Sequence, residues 1–161
     1  MLPPLLFRHI RPDDKGRLAD GLQRLSPETR HKRFLMPKPR FSSGELRYLT
    51  EIDGFDHVAI VAVPASDPDV FYGVARFVRL REDPTTAEAA IVVADPLQGK
   101  GLGRELGRRL ADEAREVGVE RFTASMLSDN EAAHRLFRSI SERLTEHTGS
   151  GLREIVAELA A

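Results

Sequence analysis

Val92-Val-Ala-Asp-Pro-Leu-Gln-Gly-Lys-Gly-Leu-Gly-Arg104 is the stretch whose reading decides the fold. It begins as an apolar strand and is broken by Asp95-Pro96. It then passes Gly99, Gly101 and Gly103, which alternate at the mouth of the strongest helix pattern in the chain. Glycine permits positive φ and close backbone approach. A helix N-terminus supplies unpaired N–H groups and partial positive charge. Together they make an anion site suited to a phosphate or pyrophosphate. Two common phosphate motifs fail. A P-loop needs Gly-Lys-Ser/Thr, but Lys100 is followed by Gly101. A dinucleotide fingerprint needs G-x-G-x-x-G, and the last position falls on Arg104 or Leu106. What remains is Q-x-x-G-x-G between strand and helix. On these residues alone it is either a phosphate cradle or a ligand-free glycine turn.

Outward from the loop, Leu102, Leu106, Leu110, Ala114 and Val117 form one apolar stripe on a helix from about Gly99 to Val117, with Gly118 placed as its C-terminal cap. Upstream, Val58–Ala65 and Val70–Arg81 are β-branched and aromatic and flank a Pro-Ala-Ser-Asp-Pro-Asp turn, which predicts an antiparallel hairpin. Thr86–Ala94 is the next strand. Nearer the start, Phe7–Arg11 is a short strand, and Asp13 or Asp14 caps a helix over Lys15–Leu25. Ser26-Pro27 opens a second helix to about Leu35, and Ser43 caps a third through Thr50. Downstream, Arg121–Met126 is a strand. Ser128-Asp-Asn-Glu131 is a capping-box sequence opening a helix with Ala132, Ala133, Leu136, Phe137 and Ile140. Arg143–Thr148 and Leu152–Leu159 are two last strands. The tally is one α+β domain over 1–161, with a largely antiparallel sheet of about six to seven strands flanked by helices and one strand–helix–strand crossover.

Composition narrows the chemistry. With 161 residues, 41% hydrophobic and 30% charged, the chain can bury a core and is not disordered. The net charge of −1 argues against nucleic acid, since a phosphate-binding surface favours a clear basic excess. There is no cysteine, which excludes disulfides, thiolate nucleophiles, zinc–thiolate sites and iron–sulfur clusters. Apolar runs such as Val58–Val63 fall far short of the ~20 residues of a membrane span. Pro3 and Pro4 interrupt any secretion signal. A soluble cytoplasmic protein is expected. No pair of the five histidines has metal-ligand spacing, so no metal site is expected and the histidines read as core or surface residues.

The stretch 92–104 resembles the acetyl-CoA-binding motif of the GCN5-related N-acetyltransferases (GNAT superfamily), and the element order is similar to that fold over almost the whole chain. Leu25-Ser-Pro-Glu-Thr-Arg-His-Lys-Arg-Phe-Leu35, Glu45-Leu-Arg-Tyr-Leu-Thr50 and Asp53 to Ala62 further resemble bacterial Pat-type protein lysine acetyltransferases. In those proteins the domain is often fused to a nucleotide-binding or acyl-CoA-synthetase-like module, for which 161 residues leave no room. The resemblance implies a sheet splayed between its central strands and acetyl-CoA as cosubstrate. It implies that backbone groups of Val92 and Val93 pair with the pantetheine arm. Amides of Gln98, Gly99, Lys100, Gly101, Leu102, Gly103 and Arg104 would cradle the pyrophosphate. It places Asn130 at the cofactor. A tyrosine acting as general acid often stands seven residues after that asparagine. Here the position is Phe137, so no general acid is assigned.

N-acetylation needs a neutral amine, and a lysine with pKa ~10.4 is mostly protonated at neutral pH. A positioned base solves this. Glu88 is the candidate. Strand period places it on one face with Ala90, Val92 and Ala94, small apolar neighbours that would partly desolvate a carboxylate and raise its pKa. Pat-type domains carry a catalytic glutamate at this place. The cluster Arg30, His31, Lys32, Arg33, Lys38 and Arg40 reads as a solvated helix face, with contact to an acidic acceptor or to the cofactor's 3′-phosphate as the alternative. Along the long helix, Arg108, Arg109 and Arg115 alternate with acids as surface charges. The expected function is direct acetyl transfer from acetyl-CoA to an amine, preferably a protein lysine. A small-amine acetyltransferase and a non-catalytic acyl-CoA sensor are the alternatives.

Overall fold

The computed structural model describes residues 2–160. Its centre is β2 (His57–Pro64), HVAIVAVP, in which every residue is buried. A strand buried on both faces needs an apolar layer on each side, and the structure supplies two. Val58, Ile60 and Ala62 face one cluster, with Leu102, Leu106 and Leu110 of α4 (Leu102–Glu116). Ala59, Val61 and Val63 face the other, with Leu18 of α1 (Lys15–Arg24), Phe71 and Val74.

Around β2 the sheet runs β1 (Leu5–His9), β2, β3 (Gly73–Arg79), β4 (Thr86–Val93), β5 (Arg121–Leu127), β7 (Leu152–Leu159), β6 (Ser141–Gly149). Every neighbouring pair is antiparallel except β4–β5, which is joined through α4. That parallel pair has three rungs, Thr86–Arg121, Ala87–Phe122 and Glu88–Thr123. Beyond Glu88 both strands continue without pairing to each other, so the sheet splays at its centre. The α+β mixed sheet expected above is the one found, with seven strands. The helices α2 (Pro27–Phe34) and α3 (Ser43–Thr50) complete the layer with α1, and α5 (Glu131–Ser139) packs beside α4.

Local differences have local causes. The cap of α3 is Ser42, not Ser43. Ser42 Oγ accepts from the Glu45 amide at 3.1 Å while Glu45 Oε1 accepts from the Ser42 amide at 2.9 Å, and only Ser42 has the three-residue spacing that box requires. The box from Ser128 does not form. Asn130 Oδ1 takes the Ala133 amide at 3.2 Å, and Glu131 turns to Arg153 instead. Asp14 precedes α1 but its side chain makes no cap. It accepts from both Nη atoms of Arg8 at 2.8 Å and from the Arg11 amide at 2.7 Å. The long helix starts at Leu102 rather than near Gly99, because Gly99 (φ 75°) and Gly101 (φ 87°) are left-handed. No helix among the described residues is long and apolar enough to cross a membrane.

Candidate active site

The splay opens a groove of about 400 Å³ between β4 and β5. Val92 and Val93 line it from one strand, Ser125 and Met126 from the other. The glycine loop and Asn130 close one end, and Thr29, Lys32 and Arg33 of α2 border it. Since β4 lacks a partner beyond Glu88 on this side, its strand edge is available to an extended, amide-bearing ligand. Lys32, Arg33, Arg104 and Arg135 line the groove, and among the described residues no Asp or Glu does. The net charge of −1 therefore hides a local cationic site matched to a polyanion.

Gln98, Gly99, Gly101, Gly103, Arg104 and Asn130 all line the groove. Leu102 does not: its side chain is buried in the core under α4. The Lys100 side chain is exposed, away from the lining. The glycines divide by role. At Gly99 and Gly101 positive φ is the constraint, and a Cβ would meet nothing within 4 Å. At Gly103 a Cβ would sit 2.9 Å from Leu136 Cδ1, so this glycine lets α5 approach α4. Gln98 acts through its side chain as well. Its Nε2 donates to the Val93 carbonyl at 3.0 Å and to Thr29 Oγ1 at 3.2 Å, tying the loop to β4 and α2. Phe137 is buried and lines the groove, with no proton to give.

A clamp absent from the sequence reading holds α2 in place. Asp95 accepts from the Ser26 amide (3.0 Å), Ser26 Oγ (2.8 Å) and Thr29 Oγ1 (2.9 Å). Burial works to raise its pKa, but the hydrogen bonds from Ser26 and Thr29 win and hold it below the usual carboxylate value. The basic cluster consequently splits. Lys32 and Arg33 line the groove, whereas Arg30 folds back on the Leu25 and Gln23 carbonyls and Lys38 pairs with Glu45. Arg108, Arg109 and Arg115 pair with Glu105 and Asp112 on the surface, as read.

Glu88 occupies the last paired rung, at the vertex of the splay. It is exposed, so the desolvation expected from its small neighbours is not there: that side of the sheet opens into a second concavity of about 410 Å³. Thr123, Thr145, His147 and Glu154 share this concavity with Glu88, and it meets the groove at Ala124 and Ser125. Arg33, half-buried with its guanidinium 4.7 Å from the Phe34 ring centroid, lies within electrostatic range. Desolvation pushes the Arg33 pKa down, and the Glu88 charge opposes that shift. On β3, buried Arg76 donates to the Leu49 carbonyl and lies 3.0 Å from His57 Nε2. Burial and the charge of Arg33 lower Arg76 to about 9. Burial and Arg76 lower His57 to about 4, which keeps it neutral. His134 contacts Glu146 at 2.8 Å, so both histidines are structural, in line with the sequence reading.

The sequence that forms this groove matches a family model. The acetyltransferase (GNAT) family model covers residues 27–140. The chain belongs to that family. It is similar to Acetyltransferase Pat of Mycolicibacterium smegmatis, 38% identical over 139 residues, 86% of this chain and 40% of that protein. It is also similar to Acetyltransferase PA5475 of Pseudomonas aeruginosa, 35% identical over 137 residues, 84% of this chain and 71% of that one. Among solved structures, the GNAT domain of S. lividans PAT superposes with a TM-score of 0.84 at 28% identity, covering 95% of this chain and 89% of that domain. The chain thus spans about two-fifths of the Mycolicibacterium relative.

Proposed function

We propose that this GNAT domain is an acetyl-CoA-dependent N-acetyltransferase that moves the acetyl group directly to an amine, with a protein lysine as acceptor and Glu88 as general base. The observation that carries the reading is the position of Glu88. It stands at the vertex of the splay, on the concavity that meets the basic groove. The residues present fit the cosubstrate. Lys32, Arg33, Arg104 and Arg135 match its phosphates, left-handed Gly99 and Gly101 aim loop amides at a pyrophosphate, and the free edge of β4 suits the pantetheine amides. When bound, acetyl-CoA supplies an activated thioester. Glu88 takes a proton from the incoming ammonium, directly or through water, so that nitrogen attacks as the free amine. A backbone N–H near Val93 stabilises the oxyanion. The leaving thiol has a pKa near ~8.5, so departure does not depend on an acid at Phe137. The resemblance of residues 25–35, 45–50 and 53–62 to Pat-type protein lysine acetyltransferases supports a protein lysine over a metabolite.

One observation favours an amino-acid-like acceptor instead. Arg76 is buried, its hydrogen-bond partners among the described residues are neutral, and Arg33 adds to its positive field. An acceptor bearing a carboxylate beside its amine would be drawn there. The two readings separate in one assay. Free CoA release is followed with lysine-containing proteins and with a mixture of amino acids and small amines, and products are identified by mass spectrometry. Acetyl-lysine on protein is the expected result. Turnover with small amines alone supports the amino-acid reading. Binding of acetyl-CoA with no turnover on either supports a sensor and overturns the proposal.

A further inference from the structure

Beside the cofactor groove lies a third space of about 270 Å³, between α1, the end of α2 and the ends of β3 and β4. Leu22, Phe34, Phe41, Phe71 and Val74 wall it, and among the described residues Arg24 is the one charged residue on its lining. Val92 and Leu97 line both this space and the groove, so the two abut at the strand proposed to carry the thioester. Val92 packs on the same side of the sheet as Phe71 and Val74, and strand period puts Glu88 on that side too. The space is widened by Gly21, in the middle of α1. A Cβ there would meet only Phe71 Cβ, at 3.8 Å, so packing does not demand a glycine. A glycine in a helix interior carries a stability cost relative to alanine, and here its visible consequence is room.

We infer that this cavity receives the acyl chain of short-chain acyl-CoA esters longer than acetyl, propionyl to butyryl, so that the enzyme binds and transfers these as well. The inference rests on the cofactor placement in the groove and not on which amine is the acceptor. The cavity suits an acyl tail for two reasons. Its walls are apolar side chains, which reward methylene burial and offer no partner to a polar group. It also adjoins the groove at Val92, beside which the acyl carbon would lie. The transfer balances as for acetyl. The amine nitrogen bonds to the acyl carbon as the carbon–sulfur bond breaks. The nitrogen's proton passes to Glu88 and on to solvent, and the electron pair leaves on the CoA sulfur, which takes a proton to end as the thiol.

Calorimetric binding of acetyl-, propionyl- and butyryl-CoA to the intact chain tests this without an acceptor. Burying each methylene strengthens binding by about fourfold, so butyryl-CoA should bind on the order of tenfold more tightly than acetyl-CoA. Gly21→Leu fills the cavity from α1. It should reduce that advantage to about twofold or less while leaving acetyl-CoA affinity and the circular-dichroism spectrum unchanged. Gly21→Ala, whose Cβ is already accommodated, should keep the advantage. Butyryl-CoA binding no more tightly than acetyl-CoA overturns the inference but leaves the acetyltransferase reading standing. So does an advantage that survives Gly21→Leu. Failure of acetyl-CoA itself to bind overturns both.

Discussion

At the scale of single residues, the glycines of the loop show why one letter carries different physics at neighbouring positions. Gly101 is held at φ 87° with open space around its missing Cβ. A valine there forces strain of about 1–3 kcal/mol or a different loop. Gly101→Val should therefore weaken acetyl-CoA binding at least tenfold and lower the melting temperature by no more than that strain costs, with no rescue from Leu136→Ala, as read by calorimetry and thermal melts. Gly103→Val should behave differently. Its Cβ collides with Leu136, so the melting temperature should fall, and Leu136→Ala in the same chain should restore part of it. Equal, non-interacting effects would show that Gly103 does not pack against α5. The loop's identity was legible because its signal is local: glycine spacing, a proline and an apolar strand. The split between Gly101 and Gly103 was not, because Leu136 lies 33 residues downstream on another helix. Glu88 repeats the lesson. Its face follows from strand period, but its exposure follows from where β5 stops pairing, which no residue near Glu88 encodes.

At the scale of elements, α2 reaches the groove because Asp95 holds its first turn. The periodicity of residues 27–34 shows a helix, and Ser26-Pro27 shows its start. Nothing local says that Ser26 and Thr29 share a carboxylate 66–69 residues away. Asp95→Ala removes three hydrogen bonds and frees Lys32 and Arg33 from their place on the groove. Acetyl-CoA affinity should drop by about tenfold, and the melting temperature should fall as well, because hydrogen bonds to an ionised carboxylate are worth more than neutral ones. The pH sign follows from the lowered pKa of Asp95. Its stabilising contribution is present above the unfolded carboxylate value near ~3.9 and is lost as pH falls through the lower folded value. Melting temperature should be level from neutral pH down to about 4 and then fall, and Asp95→Ala should lack part of that fall. A variant with wild-type affinity would mean that α2 is placed by its other contacts. The helix ends make the same point about legibility: Ser42 and Asn130 won their caps through spacing and through competition from Arg153 for Glu131.

At the scale of the whole molecule, two apolar layers on a doubly buried β2 hold the sheet, and a buried carboxylate ties its edge to the helical layer. Asp14 is fully buried and binds Arg8 from β1 and Arg17 from α1. Burial alone would raise its pKa, yet the hydrogen bonds and charge of Arg8, with the Arg11 amide and Arg17, lower it. Asp14→Ala leaves Arg8 without its partner and should cost about 3 kcal/mol. That is a melting-temperature fall of roughly 6–12 °C for a chain of this size. The Asp14 contribution also disappears as pH drops below the usual carboxylate range, so acid should narrow the gap between variant and wild type. A variant that melts with the wild type would show that the cluster is energetically idle. The strand order was legible only in part. One parallel pair among antiparallel neighbours follows from a strand–helix–strand crossover, but insertion of β7 between β5 and β6 is a tertiary choice. The central claim is that the splay sets Glu88 to accept a proton from an amine entering beside the cofactor. The most direct test is the pH–rate profile of acetyl transfer for wild type and Glu88→Gln, with acetyl-CoA affinity measured on both. The account predicts unchanged affinity, a rate lowered by ~10²–10⁴, and partial recovery as pH rises toward the amine pKa. A Glu88→Gln enzyme with the wild-type rate and pH dependence would contradict it.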